Sequence, residues 1–496
     1  MAKRLIYVAH DNLNLAKGAL ASASPSTDEI VLIESARMLN SARWHRQRLF
    51  FMLSAARHFA AELTRLGYKV HYLKASDTAS GILKLMNDFA EVIAAEPSSF
   101  RLTKSLSSIG VKFIANDFFM TSRIEFRNWA ESQKSLKMEN FYRWQRARLD
   151  VLMVGAEPEG GRWNFDEENR LAPPKEPHPW PDYPRFERDQ IDNEVIEEIA
   201  NLNLVGSLFE QTWGTTRQAA LQQLDFFLSN SFQDFGPYED AMTNRSWSLY
   251  HSLLSPYLNI GLLTADEVVD RALETYRNRK IPIASCEGFI RQIIGWREYI
   301  NGIYWFFGED YREHNQLNSK RRLLPLFEDA SATKMNCVST IVKEIEDRAW
   351  VHHIPRLMVL SNLAALADVR PDEFLAWMRR IFIDAADWVM VPNVIGMSMH
   401  ADGGQMSTKP YVAGGAYISR MSNYCKGCAY DPKTRSAEDS CPFTTLYWHY
   451  LDRNKDLFKK NHRMFQQYSG LRKLKDLDET IARGDNVIDG LLRGEI

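Results

Sequence analysis

The sequence predicts an α/β domain followed by an all-helical one, with a long connector between them. Three observations carry this. Over residues 1–120, short β-branched apolar runs alternate with helix-period stretches, the pattern of a doubly wound parallel sheet. Prolines and glycines then concentrate at Glu157–Gly161 and Pro173–Pro184, within residues 121–214. From Thr215 onward strand signals nearly vanish, and residues 215–496 carry apolar positions at helical spacing. The chain has 496 residues, more than one ordinary core holds.

In order, the expected strands are Arg4–Ala9 (RLIYVA), Glu29–Ile33 (EIVLI), Lys69–Leu73 (KVHYL), Val92–Ala95 (VIAA) and Val111–Ala115 (VKFIA), with a helix at Trp44–Leu66. The first strand runs into His10, Asp11, Asn12 and Leu13, not into a glycine-rich turn, which argues against a dinucleotide held there. Polar residues at the strand ends, such as Asp11 and Glu34, either line a ligand crevice or cap helices. In the connector, KSLKMENFYRWQRARL (Lys134–Leu149) interleaves Lys134, Lys137, Arg143, Arg146 and Arg148 with Phe141, Tyr142 and Trp144. Cations beside aromatics suit a phosphate backbone with exposed bases, and equally an ordinary amphipathic helix. The helical half is expected at Ala219–Leu228, Thr264–Arg279, Gly288–Phe306, Val338–Trp350, Pro355–Ala367 and Pro371–Ala385. Trp296, Trp350, Trp377 and Trp388 read as core side chains whose indoles can also be oxidised.

A net charge of −2 gives no global signal for nucleic acid, so such a partner would meet a local patch. No apolar run reaches the roughly 18 residues of a membrane span. The start, MAKRLIYVAH, enters a strand without a signal-peptide pattern, so a cytoplasmic protein is expected. Four of the five cysteines, Cys337, Cys425, Cys428 and Cys441, fall in one stretch, two of them as Cys-x2-Cys. In a reducing compartment this reads as a thiolate cage for Zn2+ or an iron–sulfur cluster. Cys286 stands apart and reads as a small core hydrophobe.

Several segments together resemble the photolyase/cryptochrome superfamily: LYHSLLSPYLNIGLL (Leu249–Leu263), EGFIRQIIGWREYI (Glu287–Ile300) and WVHHIPRLM (Trp350–Met358). MNC (Met335–Cys337), PNVIGMS (Pro392–Ser398), TKPY (Thr408–Tyr411), YCKGC (Tyr424–Cys428), GGRWNFDEENR (Gly160–Arg170) and FGPYEDAM (Phe235–Met242) resemble one branch, the bacterial iron–sulfur photolyases and cryptochromes, also called prokaryotic (6-4) photolyases.

The resemblance implies FAD in the helical domain. His251, Ser252, Leu254 and Ser255 would lie near its phosphates at a helix N-terminus. Gln292, Trp296 and Arg297 would line its pocket, and Arg356 and Asp384 would pair over its ring. It implies His352 and His353 as the proton-transfer centre, histidine being suited to give and retake a proton near neutrality. Leu357, Met397, Tyr411 and Tyr417 would surround the lesion in UV-damaged DNA. It makes the four cysteines ligands of a [4Fe–4S] cluster and Trp377 an electron donor. It also implies a 6,7-dimethyl-8-ribityllumazine antenna in the first domain, against Glu34. Asp166 and Asp240 match acidic positions that suit Mg2+. A monomer is expected.

The sequence departs from the branch at three positions. Met378 stands where an aromatic is expected beside Trp377, and Asp329 where a tryptophan precedes the first cluster cysteine. Met390 replaces the carboxylate beside the flavin N5, and a thioether is only a weak acceptor. The expected activity is light-driven repair of (6-4) photoproducts. The alternatives are a cryptochrome-like photoreceptor with little or no repair and, further off, a primase-like nucleic-acid binder.

Overall fold

The computed structural model describes residues 3–208 and 211–496. Five strands form one parallel sheet: β1 (Arg4–Tyr7), β2 (Asp28–Ser35), β3 (Lys69–Ala75), β4 (Glu91–Ala95) and β5 (Lys112–Ile114), in the order β3-β2-β1-β4-β5. Central β1 sets Ile6 opposite both Ile30 and Ile93. Each strand lies where its apolar run predicts it. β1 stops short of Ala9 because the chain turns there, the Asn12 N–H donating to the Ala9 carbonyl.

Alternation along the strands divides their side chains between two layers. Leu5, Tyr7, Val31, Ile33 and Val92 pack under the outer helices through Ile82 and Leu106. Ile6, Val8, Ile30 and Leu32 face the other way, into a core continuous with the helical half as far as Leu491. Residue 120 thus divides the sequence without dividing the interior. No helix among the described residues is long and apolar enough to cross a membrane.

The connector combines helices with an irregular stretch: residues 173–184, where prolines concentrate, carry neither helix nor strand. Helices span Arg123–Glu131, Met138–Leu149 and Gln190–Ile199. With the helix Arg46–Arg65 as α1, the last two are α2 and α3. α2 turns Phe141 and Tyr142 into the core. Phe141 packs against Phe126, Trp129 and Tyr299, and Tyr142 is buried. Arg146 is wholly buried and donates to the carbonyls of Val151, Leu152 and Trp163, while Arg148 pairs with Glu125 at 2.8 Å. The stretch is an amphipathic helix, and burial takes Phe141, Tyr142 and Arg146 out of reach of a partner, while Arg143 is exposed and Trp144 half-buried. α3 lays Val195 and Ile199 on Leu49, Phe50 and Leu53 of α1.

The helical half is built from α4 (Ile283–Ile290), α5 (Glu298–Phe307), α6 (Asn336–Arg348), α7 (Pro371–Ile381) and α8 (Pro442–Arg453), among others. Its expected helices are not all regular. Arg291–Arg297, Pro355–Ser361 and Asn393–Ser398 are wide π turns, a form rare overall and frequent at functional sites. The first joins α4 to α5 within the expected Gly288–Phe306, and α7 ends at Ile381, short of the expected Ala385.

One side chain clamps the two halves. The His45 ring caps α1, its Nδ1 accepting from the Gln47 N–H at 3.1 Å, while Nε2 reaches the Glu346 carbonyl of α6 at 3.2 Å. Gly206 backs this ring with φ +74°, and a Cβ there would lie 2.0 Å from His45 Nε2.

Candidate functional site

The wide turns carry six of the residues expected at the site: Gln292, Trp296 and Arg297 on the first, Arg356 and Leu357 on the second, Met397 on the third. The second and third pack on each other. Arg356 meets Asp384 through two parallel bonds of 2.9 and 3.0 Å, the geometry that makes such pairs strong. The Ser255 hydroxyl donates to the same carboxylate at 2.7 Å, and the Arg356 guanidinium lies 4.1 Å over the Phe382 ring. The pair is therefore formed and held within the chain.

The histidines form a cluster. α6 ends at Ala349 in a left-handed turn (φ +57°), and an extended Trp350–His352 segment leads into the second wide turn. His352 stacks on His251 with ring centres 4.1 Å apart and planes at 21°, and His353 lies edge-on to both. Burial pushes the His251 and His352 rings well down, and the neighbouring His353 adds to this. These two stay neutral. His353 is exposed, and the Asp240 carboxylate lies 3.5 Å from its Nε2. Among the expected phosphate neighbours, Ser255 is committed to Asp384, and the Leu254 N–H to the Ser252 hydroxyl at 3.4 Å. Leu253 between them has φ +59°.

Sequence reasoning missed Glu239. It is buried and takes hydrogen bonds from Gln292 at 2.5 Å and Asn169 at 3.3 Å. Burial pushes its carboxyl up to about 7. The only sequence signal was its place beside Asp240 in FGPYEDAM. Arg291 was missed too. Burial works against ionised Asp166, but Arg291 at 3.0 Å and Arg170 outweigh it and hold that carboxyl below its usual range. Burial raises the Tyr417 and Tyr411 phenols, and the Asp240 carboxylate adds to the effect at Tyr417.

Other expected residues are engaged elsewhere. Arg297 pairs with Glu298 at 2.9 Å and lies 4.1 Å over Phe119. Trp296 packs edge-on to Tyr299. Trp377 is buried among Phe327, Phe374 and Phe382, its indole N–H donating to the Phe327 carbonyl at 2.9 Å. Met378 and Met390 are buried, and Asp329 is exposed.

Glu34 is bound by Arg57 at 2.8 Å and Tyr72 at 2.6 Å, between Ile33 and Ser35, which line a crevice that it does not itself line. The crevice is at the C-terminal ends of the strands: a cavity of about 230 Å³ lined by Tyr7, His10, Asp11, Arg48, Ser98 and Asp384, among others. Burial raises the Asp11 carboxyl above its usual range, against a hydrogen bond from Ser98.

The four cysteines meet. Cys337 starts α6, Cys441 caps α8, and Cys425 and Cys428 flank Gly427 (φ +79°). Their side chains line one small cavity with Met335, Tyr424 and Phe443. A Cβ on Gly415 would lie 2.9 Å from Cys441 Sγ, so that backbone must be glycine. Burial pushes the Cys337 thiol up, and the other three cysteines add to it. Cys286 lies apart, wholly buried.

A parallel sheet whose inner face merges with a helical half, with the arginine–aspartate pair and histidine cluster inside the latter, defines a photolyase-type protein. A solved bacterial class III photolyase from Agrobacterium tumefaciens superposes with a TM-score of 0.57 at 15% identity, over 99% of this chain and 98% of that one. Residues 6–219 match the family described as deoxyribodipyrimidine photo-lyase-related protein. The (6-4) photolyase of Agrobacterium fabrum (strain C58) is 40% identical over 482 residues, 94% of this chain and 95% of that protein. The chain belongs to the (6-4) photolyase family.

Proposed function

We propose that this protein repairs (6-4) photoproducts in UV-damaged DNA under light. Family membership supports the repair class. The observation that carries the assignment of roles is the histidine cluster, in which one exposed ring adjoins a carboxylate while two buried rings stack behind it. His353 gives a proton from Nε2 to the lesion and takes it back, and Asp240 orients the ring. His352 fixes the place of its neighbour. Tyr411, Tyr417, Leu357 and Met397 enclose the flipped-out bases.

The family implies a flavin, and FAD is the form proposed. Bound, it would supply the light-driven electron. The residues fit it: Arg356 and Asp384 are already paired, and the Ser255 hydroxyl of the expected phosphate segment reaches the same carboxylate. Ser252 and Leu254 would hold its phosphate side, with Ser255 acting through Asp384 and His251 holding the segment in place through its backbone bonds to Ser248 and Tyr183, and Gln292 would line the pocket. The four cysteines fit a [4Fe–4S] cluster better than Zn2+. Among the described residues no three of these sulfurs lie within 4.8 Å of one another, whereas tetrahedral Zn2+ needs about 3.8 Å. A lumazine antenna would occupy the cavity beside Asp11 and Ser98, not a place against Glu34. Asp166, neutralised by two arginines, does not fit Mg2+ as it stands.

The test is light-dependent restoration of thymines from a (6-4)-containing oligonucleotide, with flavin reduced chemically beforehand. Wild type should repair. His353→Ala should keep flavin and DNA binding and lose most repair. Absence of wild-type repair rejects the reading. The photoreceptor alternative has one observation in its favour: Trp377 is walled by phenylalanines, which are poor carriers of oxidising equivalents.

A further inference from the structure

The histidine cluster has a property that proton transfer does not use. One ring nitrogen from each of His251, His352 and His353 lies within 4.8 Å of those of the other two. Two ring nitrogens there, His251 Nε2 and His352 Nδ1, are buried without a hydrogen-bond partner. A buried polar atom left unpaired costs roughly 1–3 kcal/mol. The Ala241 carbonyl takes the hydrogen of His352's other nitrogen, which leaves Nδ1 as the bare acceptor. Asp240, at 3.5 Å from His353, supplies the carboxylate that commonly orients a metal-binding imidazole.

We propose that His251, His352 and His353 form a three-nitrogen site for a divalent transition-metal ion of the Zn2+ class, and that the bound ion withholds His353 from proton transfer. The donors are borderline-soft and neutral, which suits Zn2+ or Cu2+ and disfavours Mg2+. Binding tilts the stacked rings and draws the nitrogens from their present spacing toward the about 3.4 Å of a tetrahedral site. A fourth position stays open on the exposed side of His353. The second half of the proposal, withholding the proton, rests on the repair reading; the binding does not.

Two arms test it on wild-type holoprotein. Cu2+ added to the oxidised protein, read by pulsed electron paramagnetic resonance, should show three coordinated imidazoles. Fewer than three overturns the site, including a single imidazole from the separate His58, Asp189 and Asp192 group. Stoichiometric Zn2+ should abolish repair by the pre-reduced enzyme, with chelator restoring it and cluster absorbance unchanged. Unchanged repair overturns the withholding. Asp240→Asn should weaken Zn2+ binding roughly 10-fold, and His251→Asn by more. Zn2+ affinity equal to wild type in a folded His251→Asn overturns the assignment. Should wild type lack repair without Zn2+, the functional reading fails, and the resonance arm still decides the site.

Discussion

Asp384 is buried and committed on every side: both carboxylate oxygens bond to Arg356, one also takes the Ser255 hydroxyl, and its carbonyl takes Asn259. Breaking a buried pair by removing one partner leaves a charge uncompensated and costs roughly 3–5 kcal/mol. Asp384→Ala should lose stability of that size in urea unfolding, and should weaken flavin retention as well. A loss under 1 kcal/mol would mean that water reaches Arg356 freely. The partnership was legible in the sequence only through resemblance, since the two residues are 28 apart and nothing local joins them. The stack of His251 on His352 was not legible at all. A hundred residues separate them, and each ring's local sequence is compatible with several roles.

Among the elements, α1 depends on an imidazole where helices usually use a hydroxyl or carboxylate. Burial pushes the His45 ring down to about 4, from about 6.5 when unfolded. The unfolded chain therefore binds the extra proton more readily. The stabilisation is complete above about pH 6.5 and is lost as pH falls toward 4, by up to roughly 3 kcal/mol. Urea midpoints measured across that range should slope down with acid in wild type, and the slope should flatten in His45→Asn, which keeps a cap. Trp377 is the other element-scale case. With three phenylalanines around it, flavin photoreduction should be slow. Trp377→Phe should abolish what remains while sparing repair by pre-reduced enzyme; transient absorption checks both. Strands were legible because β-branched runs and a period of two announce them. In the connector the helix at Met138–Leu149 was legible as amphipathic, but the burial of Arg146 was not, because its backbone carbonyl partners lie on later turns of the chain. The wide turns were not, because their one extra residue leaves the apolar spacing almost helical.

Across the whole molecule, the cysteines join the start of α6 to the Tyr424–Cys428 turn and the start of α8, which lie about 90 to 100 residues further along the sequence. Occupied by a cluster, they become one rigid node, and binding energy there is folding energy. Cys425→Ser should lower iron content, bleach the broad absorption of the cluster and yield largely insoluble protein. Iron content equal to wild type would dismiss the ligand assignment. Cys286→Ser, buried in the main core, should leave iron unchanged.

Each wide turn also makes the chain sensitive to insertions and deletions in an unusual way. A π turn holds one residue more than the α-helix around it. Removing a single residue within Arg291–Arg297 would let Ile283–Phe307 wind as one regular helix, and backbone bonding would improve. Yet each residue turns a helix by about 100°, so everything on one side of the cut would swing by that angle relative to the other. Gln292 would lose Glu239, or Glu298 its bond to the Thr121 N–H. A one-residue deletion here should thus produce a well-folded helix and a dismantled pocket, the reverse of what deletions in regular helices do.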